Sequence, residues 1–436
     1  MHINNILCVT IISNMKEIFK KILTEWQESD LPVVTKRSYI YDKNIDDILA
    51  IIWPRRAGKT YFMYQIIEEL TLSTKRDDIV FINFEDYRLH QFMIIHFSDI
   101  IDAHYELYGK KPKYLFFDEI QNVRDYGKAL RTFKDQWYKI IISWSSSKLL
   151  IEEISTELRG RYSHILMLPF SFREILTYRN LDTKNIEYSL RKGDLMNEFT
   201  SYLENGWFPA ILDKDVSAKK KTLENYYETI FYKDVLERHG IKARFLFEYL
   251  MKYVLDSYAT TFSIGKFHEY LVNQKIEWSK KTLANYFHHL EEAFFMISVD
   301  RFSFSPRKSL LSPKKIYLSD NGFTLLSNNY SENFGKKLEN LYAIYLFRSE
   351  KQFYYFQKKW ECDFVIKNGN SITEAIQVCY ELTFENRERE IKGLLEAMGS
   401  FDLKEGIIIT YNQEETIVVG DVTIRVIPLW KVFLVE

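Results

Sequence analysis

Residues 51–60 read "IIWPRRAGKT" and close on Gly58, Lys59 and Thr60, the end of the phosphate-loop pattern G-x-x-x-x-G-K-[ST]. Such a loop binds phosphate because successive backbone N–H groups at a helix N-terminus converge on the anion. The lysine neutralises charge and the hydroxyl reaches Mg2+. Where the pattern opens on glycine, this chain has Trp53, so the flanking sequence has to decide whether the loop is a nucleotide site.

Just before the loop, "ILAIIW" (48–53) is a continuous apolar run, as expected of a strand buried on both faces. After it, Phe62, Met63, Ile66, Ile67 and Leu70 recur at helical spacing. Three further buried-strand patterns follow: "IVFINF" (79–84), "YLFFDEI" (114–120) and "KIIIS" (139–143). Apolar strands alternating with helical stretches predict an α/β fold, a parallel sheet covered by helices. "YLFFDEI" carries Asp118 and Glu119, separated from the loop by about 60 residues, room for an intervening strand and its crossovers.

Together these elements form a nucleotide constellation that a lone G-K-T triplet would not. Arg56, Ala57, Gly58, Lys59, Thr60 and Tyr61 are assigned to the nucleotide, and Thr60 and Asp118 to Mg2+. Glu119 is the general base for the attacking water. ATP and Mg2+ are the implied cofactors. In "ISWSSSKLL" (142–150), Ser145 reads either as a γ-phosphate sensor or as part of a turn capping the next helix. Arg159 and Arg161 in "LRGR" read either as arginine fingers for a neighbouring copy's site or as ordinary surface arginines.

A length of 436 residues implies about three domains. With 59 basic and 60 acidic residues the net charge is -1, which excludes a globally basic nucleic-acid binder; any DNA-binding surface must be local. Cys8, Cys362 and Cys379 have no metal-ligand spacing and fit a reducing cytoplasm. The opening "MHINNILCVTIISN" is too short to span a bilayer and lacks a basic flank, and no other stretch is a membrane candidate. Met15 begins the amphipathic "MKEIFKKILTEWQ" and is an alternative start.

The chain is divided into an N-terminal extension and helix (1–30), a P-loop ATPase domain (31–169), a helical lid or linker (170–245), a winged-helix domain (246–330) and a C-terminal α/β domain (331–436). In the winged-helix region Leu283, Tyr286, Phe287 and Leu290 form one helical face behind a Ser279 cap, and "FMISVDRFSFSP" and "KKIYLSD" supply wing strands. On the opposite face Lys280, Lys281, Asn285 and His288 are DNA candidates. A packing module that transmits the ATPase state is the other reading. His288 and His289 are adjacent on a helix, so solvent or core positions are expected for them rather than shared metal ligation.

At this point the sequence resembles the AAA-type P-loop ATPases of archaea and bacteria that carry a winged-helix region and a restriction-endonuclease-like C-terminal region. "PRRAGKT", "FINFED", "FFDEIQNV", "SSSKLL", "STELRGRY", "LPFSFREIL", "FPAI" and "ECDFVI" carry the likeness, over nearly the whole chain from Met15. The resemblance implies ATP binding and hydrolysis. It also marks departures, since Trp53, Trp137, Trp144, Trp207 and Trp360 each stand where the family has a turn glycine. One cause accounts for all five, a gene from a lineage that reads UGA as glycine, translated with UGA as tryptophan. A decaying ATPase that carries real tryptophans is the alternative.

Restriction-type nucleases hold Mg2+ with an early Glu, a strand-end Asp and an E-x-K. Glu339 and Asp363 fit the first two places, but Gln377 and Cys379 fill the third, so the region is expected to be an inactive nuclease relic. The overall reading is an ATPase that couples hydrolysis to a conformational change on DNA, a protein partner or a second copy. A nucleotide-binding regulatory scaffold is the alternative, with a metal-dependent nuclease third. For the tryptophans, UGA codons at all five positions are the expected finding, and UGG codons there refute the misdecoding.

Overall fold

Strand β1 (Ile48–Ile52) is buried at every residue, the consequence of an apolar run that no single face can absorb. β3 (Tyr114–Asp118) is buried throughout as well, and β2 (Ile79–Asn83) and β4 (Lys139–Trp144) are buried at all but one residue each. These strands belong to the first of two compact units, Met1–Pro169 and Phe170–Glu436. In this computed structural model the described residues are 2–42, 44–52, 55–144, 156–327 and 333–435.

The N-terminal unit has one five-stranded sheet in the order β2-β3-β4-β1-β5, with β5 at Tyr162–Leu166. All four pairings are parallel. β5 is an edge strand with Ser163 and His164 exposed, so it lacks the apolar run that reveals the other four. Helix α1 (His2–Glu28) includes residues ahead of the amphipathic stretch that begins at Met15. From there Met15, Phe19, Ile22, Leu23 and Trp26 form its buried stripe. Lys16 and Lys20 of α1 pair with Glu106 at 2.6 and 2.7 Å. α2 (Lys59–Thr71) buries Phe62, Met63, Ile66 and Ile67. α3 (Phe97–Tyr108) and α4 (Tyr126–Asp135) complete the helical layers, with Ile100, Leu130 and Phe133 in the same core as the strands.

The C-terminal unit opens with α5 (Phe172–Tyr178), α6 (Lys192–Asn205) and α7 (Val216–Thr229), the last running on into π-helical turns at Ile230–Glu237. Next come α8 (Arg244–Asp256), β6 (Thr260–Phe262), α9 (Ile264–Asn273), α10 (Lys280–Glu292), β7 (Met296–Val299) and β8 (Lys314–Leu318). The three strands form an antiparallel sheet ordered β6-β8-β7. Ser279 caps α10 by accepting from Thr282 N at 3.0 Å, and Leu283, Tyr286, Phe287 and Leu290 are its buried face.

After α11 (Phe334–Arg348), a six-stranded sheet is built from β9 (Gln352–Gln357), β10 (Glu361–Asn368), β11 (Ser371–Val378), β12 (Glu405–Thr410), β13 (Glu415–Val419) and β14 (Val422–Pro428). Its order is β13-β14-β12-β11-β10-β9. β11, β12 and β14 pair in parallel and the remaining pairs are antiparallel. α12 (Arg387–Phe401) packs Leu394, Ala397 and Met398 into the core with Val365, Ala375 and Ile408. It approaches β10 so closely that a Cβ at Gly393 would lie 2.1 Å from the Glu361 carbonyl oxygen. β13 and the final helix α13 (Leu429–Val435) have no counterpart in the sequence reading.

Four of the five unusual tryptophans fall among the described residues; Trp53 lies outside them. Only Trp137 has a left-handed backbone, φ 69°, in the turn between α4 and β4, and its side chain is 88% exposed. Trp144 continues strand β4 and meets Tyr126 edge-on at 5.0 Å. Trp207 is fully buried against Tyr202, and Trp360 lies under the ammonium of Lys392. Positive-φ strain therefore singles out Trp137. Trp137→Gly removes that strain and an exposed indole, and is expected to stabilise the N-terminal unit by about 1 kcal/mol. A thermal midpoint raised by about 2–4 °C is the measurable outcome.

Candidate functional site

The phosphate-loop residues lead from the C-terminal end of β1 to the first turn of α2. Gly58 (φ 97°) immediately precedes the helix, and Arg56 also has positive φ, 74°. Left-handed residues set among right-handed ones turn consecutive N–H groups toward a common point, the geometry of an anion nest. Glycine holds this conformation at no steric cost, whereas Arg56 carries a strain of about 1–2 kcal/mol. Lys59, the first helical residue, is only 3% exposed. Ala57 is buried and Tyr61 is exposed.

The loop is braced from behind by Arg37, which the sequence reading did not single out. Its guanidinium donates to the carbonyls of Ala57 at 3.0 Å and Leu168 at 2.6 Å, while its backbone N–H donates to Gln65 Oε1. Arg37 itself is buried. A buried cation that donates to several backbone carbonyls fixes their positions firmly, so the loop is held between β5 and α2.

Two strands away, β3 ends on the acids. Thr60 Oγ1 donates to Asp118 Oδ2 at 2.8 Å, which puts both assigned Mg2+ ligands in contact. β4 lies between β1 and β3, and Phe117 pairs with Ile142, so the next residue, Ser143, falls beside Asp118. Its hydroxyl donates to Asp118 Oδ1 and accepts from Glu119 N at 2.9 Å. Burial raises the Asp118 pKa above the ordinary carboxylate value, with Glu119 adding to the rise and the Ser143 hydrogen bond opposing it. Glu119 sits in a left-handed turn, φ 54°, and accepts from Gln121 Nε2.

The polar residue at the β4 tip is thus Ser143, two positions before the serine singled out in the sequence. Ser145 itself lies outside the described residues. The sequence signal was present, since Ser143 is the one polar residue in "KIIIS" apart from its opening lysine. Arg159 and Arg161 are exposed and stand at the start of β5, where the Arg161 carbonyl accepts from Ile48 N at 3.2 Å. That is the end of the sheet opposite the phosphate loop. Arg161 also pairs with Asp135 at 2.6 Å.

A second polar cluster lies in the C-terminal unit, lining a cleft of about 680 Å³. Glu339 of α11 and Asp363 of β10 come together as the sequence reading supposed, but a buried ammonium stands between them. Lys315 Nζ of β8 lies 2.8 Å from Glu339, 2.7 Å from Glu361 and 2.8 Å from Asp363. Tyr317 donates to Glu339 at 2.7 Å. Burial, and then Asp363, raise the Glu339 carboxyl. For Lys315, burial alone works against the charge, but Asp363 and Glu339 outweigh it and raise the pKa. Gln377 accepts from Asp363 N at 3.3 Å and donates to Glu390 at 2.7 Å, so both ends of its amide are used. Burial pushes the Cys379 thiol up to about 12, leaving it neutral. Lys315 escaped the sequence reading because it lies 48 residues before Asp363 and was taken only as part of a wing strand.

On α10, Lys280, Lys281, Asn285 and His288 are all exposed. His289 is neither an ordinary solvent nor a core histidine, because its ring stacks on that of His239 at 3.7 Å. Both rings face the fully buried Glu292.

Comparison with known proteins finds an AAA domain in part of the chain. Residues 46–176 match the model of an AAA domain, and residues 196–332 match a domain of unknown function. An uncharacterized protein of Methanocaldococcus jannaschii is 35% identical over 98% of this chain and 99% of its own length. An uncharacterized protein of Haemophilus influenzae is 24% identical, over 82% of this chain and 90% of its own length. Among solved structures, the Walker-type ATPase of Pyrococcus abyssi aligns with a TM-score of 0.40 at 15% identity, covering 68% of this chain and 98% of that one.

Removing the Lys315 cation leaves three carboxylates facing one another in a buried cleft. Lys315→Met is therefore expected to destabilise the C-terminal unit by about 3–5 kcal/mol at neutral pH. The loss shrinks in acid, where the carboxylates take up protons. Denaturant midpoints of both proteins across the acidic range check it.

Proposed function

This chain carries an AAA domain at residues 46–176 and belongs to the family of the uncharacterized Methanocaldococcus jannaschii protein, and we propose that it is an Mg2+-dependent ATPase coupling hydrolysis to a conformational change on DNA or a protein partner. The observation that carries the reading is the 2.8 Å hydrogen bond from Thr60 to Asp118, beside the buried Lys59 at the N-terminus of α2. Residues 60 and 118 are far apart in the chain, and their contact supports a shared role as ligands of one ion.

In this reading the backbone N–H groups from Arg56 to Thr60 cradle the β- and γ-phosphates, and Lys59 neutralises them. Thr60 and Asp118 would hold Mg2+, which when bound supplies positive charge to the phosphate oxygens. A carboxylate of Glu119 takes the proton of the attacking water. Gln121 orients that carboxylate, and Ser143 fixes the backbone of Glu119 relative to Asp118. Arg159 and Arg161 are read either as arginine fingers for another copy's nucleotide or as ordinary surface arginines. We assign residues 170–245 as lid or linker, 246–330 as a winged-helix domain and 331–436 as a restriction-endonuclease-like domain without nuclease activity. Exposure of Lys280, Lys281, Asn285 and His288 on one helix supports DNA contact, mostly to phosphates.

ATP turnover is to be measured with and without DNA, in the chain as given and in Trp53→Gly. Glu119→Gln is expected to lower kcat by at least about 100-fold while ATP binding persists. Ser143→Ala is expected to lower it by about 10-fold, the loss of one hydrogen bond to a charged group. ATP binding with no turnover in either parent chain overturns the enzymatic reading and leaves a nucleotide-binding regulatory scaffold. DNA cleavage lost in Asp363→Ala would instead revive the nuclease.

A further inference from the structure

Among the described residues, His239, His289 and Glu292 bring three ligand atoms within 4.8 Å of one another. His239 follows the π-helical turns that continue α7, and the other two lie one turn apart on α10. Glu292 is completely buried, yet its Oε1 accepts no hydrogen bond, and neither does the buried Nε2 of His239 take part in one. The single hydrogen bond in the group runs from His289 Nδ1 to Glu292 Oε2, 2.8 Å. His239 Nε2 stands 3.5 Å from the same oxygen.

We propose that His239, His289 and Glu292 form a Zn2+ site that staples the helix ending at His239 to α10. Two imidazoles and a carboxylate are a borderline-soft donor set that suits Zn2+ over Mg2+ or Ca2+. Ligands held at 2.0–2.1 Å in a tetrahedron lie about 3.4 Å apart, and the separations of 2.8 and 3.5 Å bracket that value. The metal gives the unbonded His239 nitrogen a partner, which removes its desolvation cost, and adds a cation beside the buried carboxylate. The two rings stack at 3.7 Å with nearly parallel planes, so bringing their in-plane lone pairs onto one ion requires a ring to swing out of the stack. His288 is exposed and faces the other oxygen, Oε1, at 3.1 Å. It lies outside the proposed ligand set, and the fourth position falls to water.

The test uses the full chain, stripped with a chelator and titrated with Zn2+ by calorimetry and with Co2+ by visible absorption. One equivalent is expected to bind, with tetrahedral Co2+ bands and a raised thermal midpoint. His239→Gln and His289→Gln are each expected to weaken Zn2+ by at least about 100-fold, and His288→Gln by less than about threefold. No saturable binding overturns the proposal, as does binding that depends on His288 but not on His239 or His289. If the two glutamine variants fail to fold, X-ray absorption of the wild-type chain loaded with one Zn2+ decides: two imidazole nitrogens support the site, and an oxygen-only shell refutes it.

Discussion

The candidate ATPase site depends on the insertion of β4 between β1 and β3. Parallel neighbours lie about 4.8 Å apart, so a strand between them sets the phosphate-loop strand and the acid-bearing strand about 10 Å from one another. The inserted strand also brings Ser143, whose hydroxyl donates to the Asp118 carboxylate and accepts from the Glu119 backbone N–H. Because all of these strands are buried and parallel, their C-terminal ends gather on one side, where α2 presents its N-terminus.

A different constraint governs the C-terminal unit, which must house several ionisable groups in its interior. Asp320, pushed up to about 7 by burial, accepts backbone hydrogen bonds from Gly322 at 2.7 Å and Trp207 at 3.1 Å. A Cβ at Gly206 would strike its Oδ1 at 1.9 Å, so the close approach requires glycine. The carboxylates of Glu339, Glu361 and Asp363 are instead compensated by Lys315. Since that lysine comes from the three-stranded sheet and Glu361 and Asp363 from the six-stranded one, the cluster fastens the two sheets together. An acidic cleft built for a divalent ion and one built around an ammonium have the same carboxylates; the cation that occupies the centre distinguishes them.

Much of the N-terminal unit was legible in the chain. β1 to β4 show as apolar runs because strands buried on both faces admit nothing else. β5 and β13 are edge strands with exposed residues, and their mixed pattern resembles that of a loop. The Asp118–Glu119 pair was found because it ends an apolar strand, whereas Ser143 was passed over for Ser145. The strand continues through Trp144, and which serine meets the acids depends on the pairing register. Arg37, Lys315 and His239 were missed for one reason: each acts on residues distant in sequence, and no local spacing records such a partner.

The tryptophans divide in the same way. Sequence alone marked five of them as anomalous, but only the backbone distinguishes Trp137, strained in a left-handed turn, from Trp144 and Trp207, which pack into cores. By itself the sequence determined the alternation of strand and helix, the phosphate loop, the acids that face it and the absence of a large net charge. These are properties of periodicity, local turn chemistry and composition. Tertiary structure alone decided which strand lies between loop and acids, that a lysine fills the acidic cleft, and that two distant histidines share a buried glutamate. Each of those is a long-range contact, chosen by strand order and by the cost of leaving a buried charge without a partner.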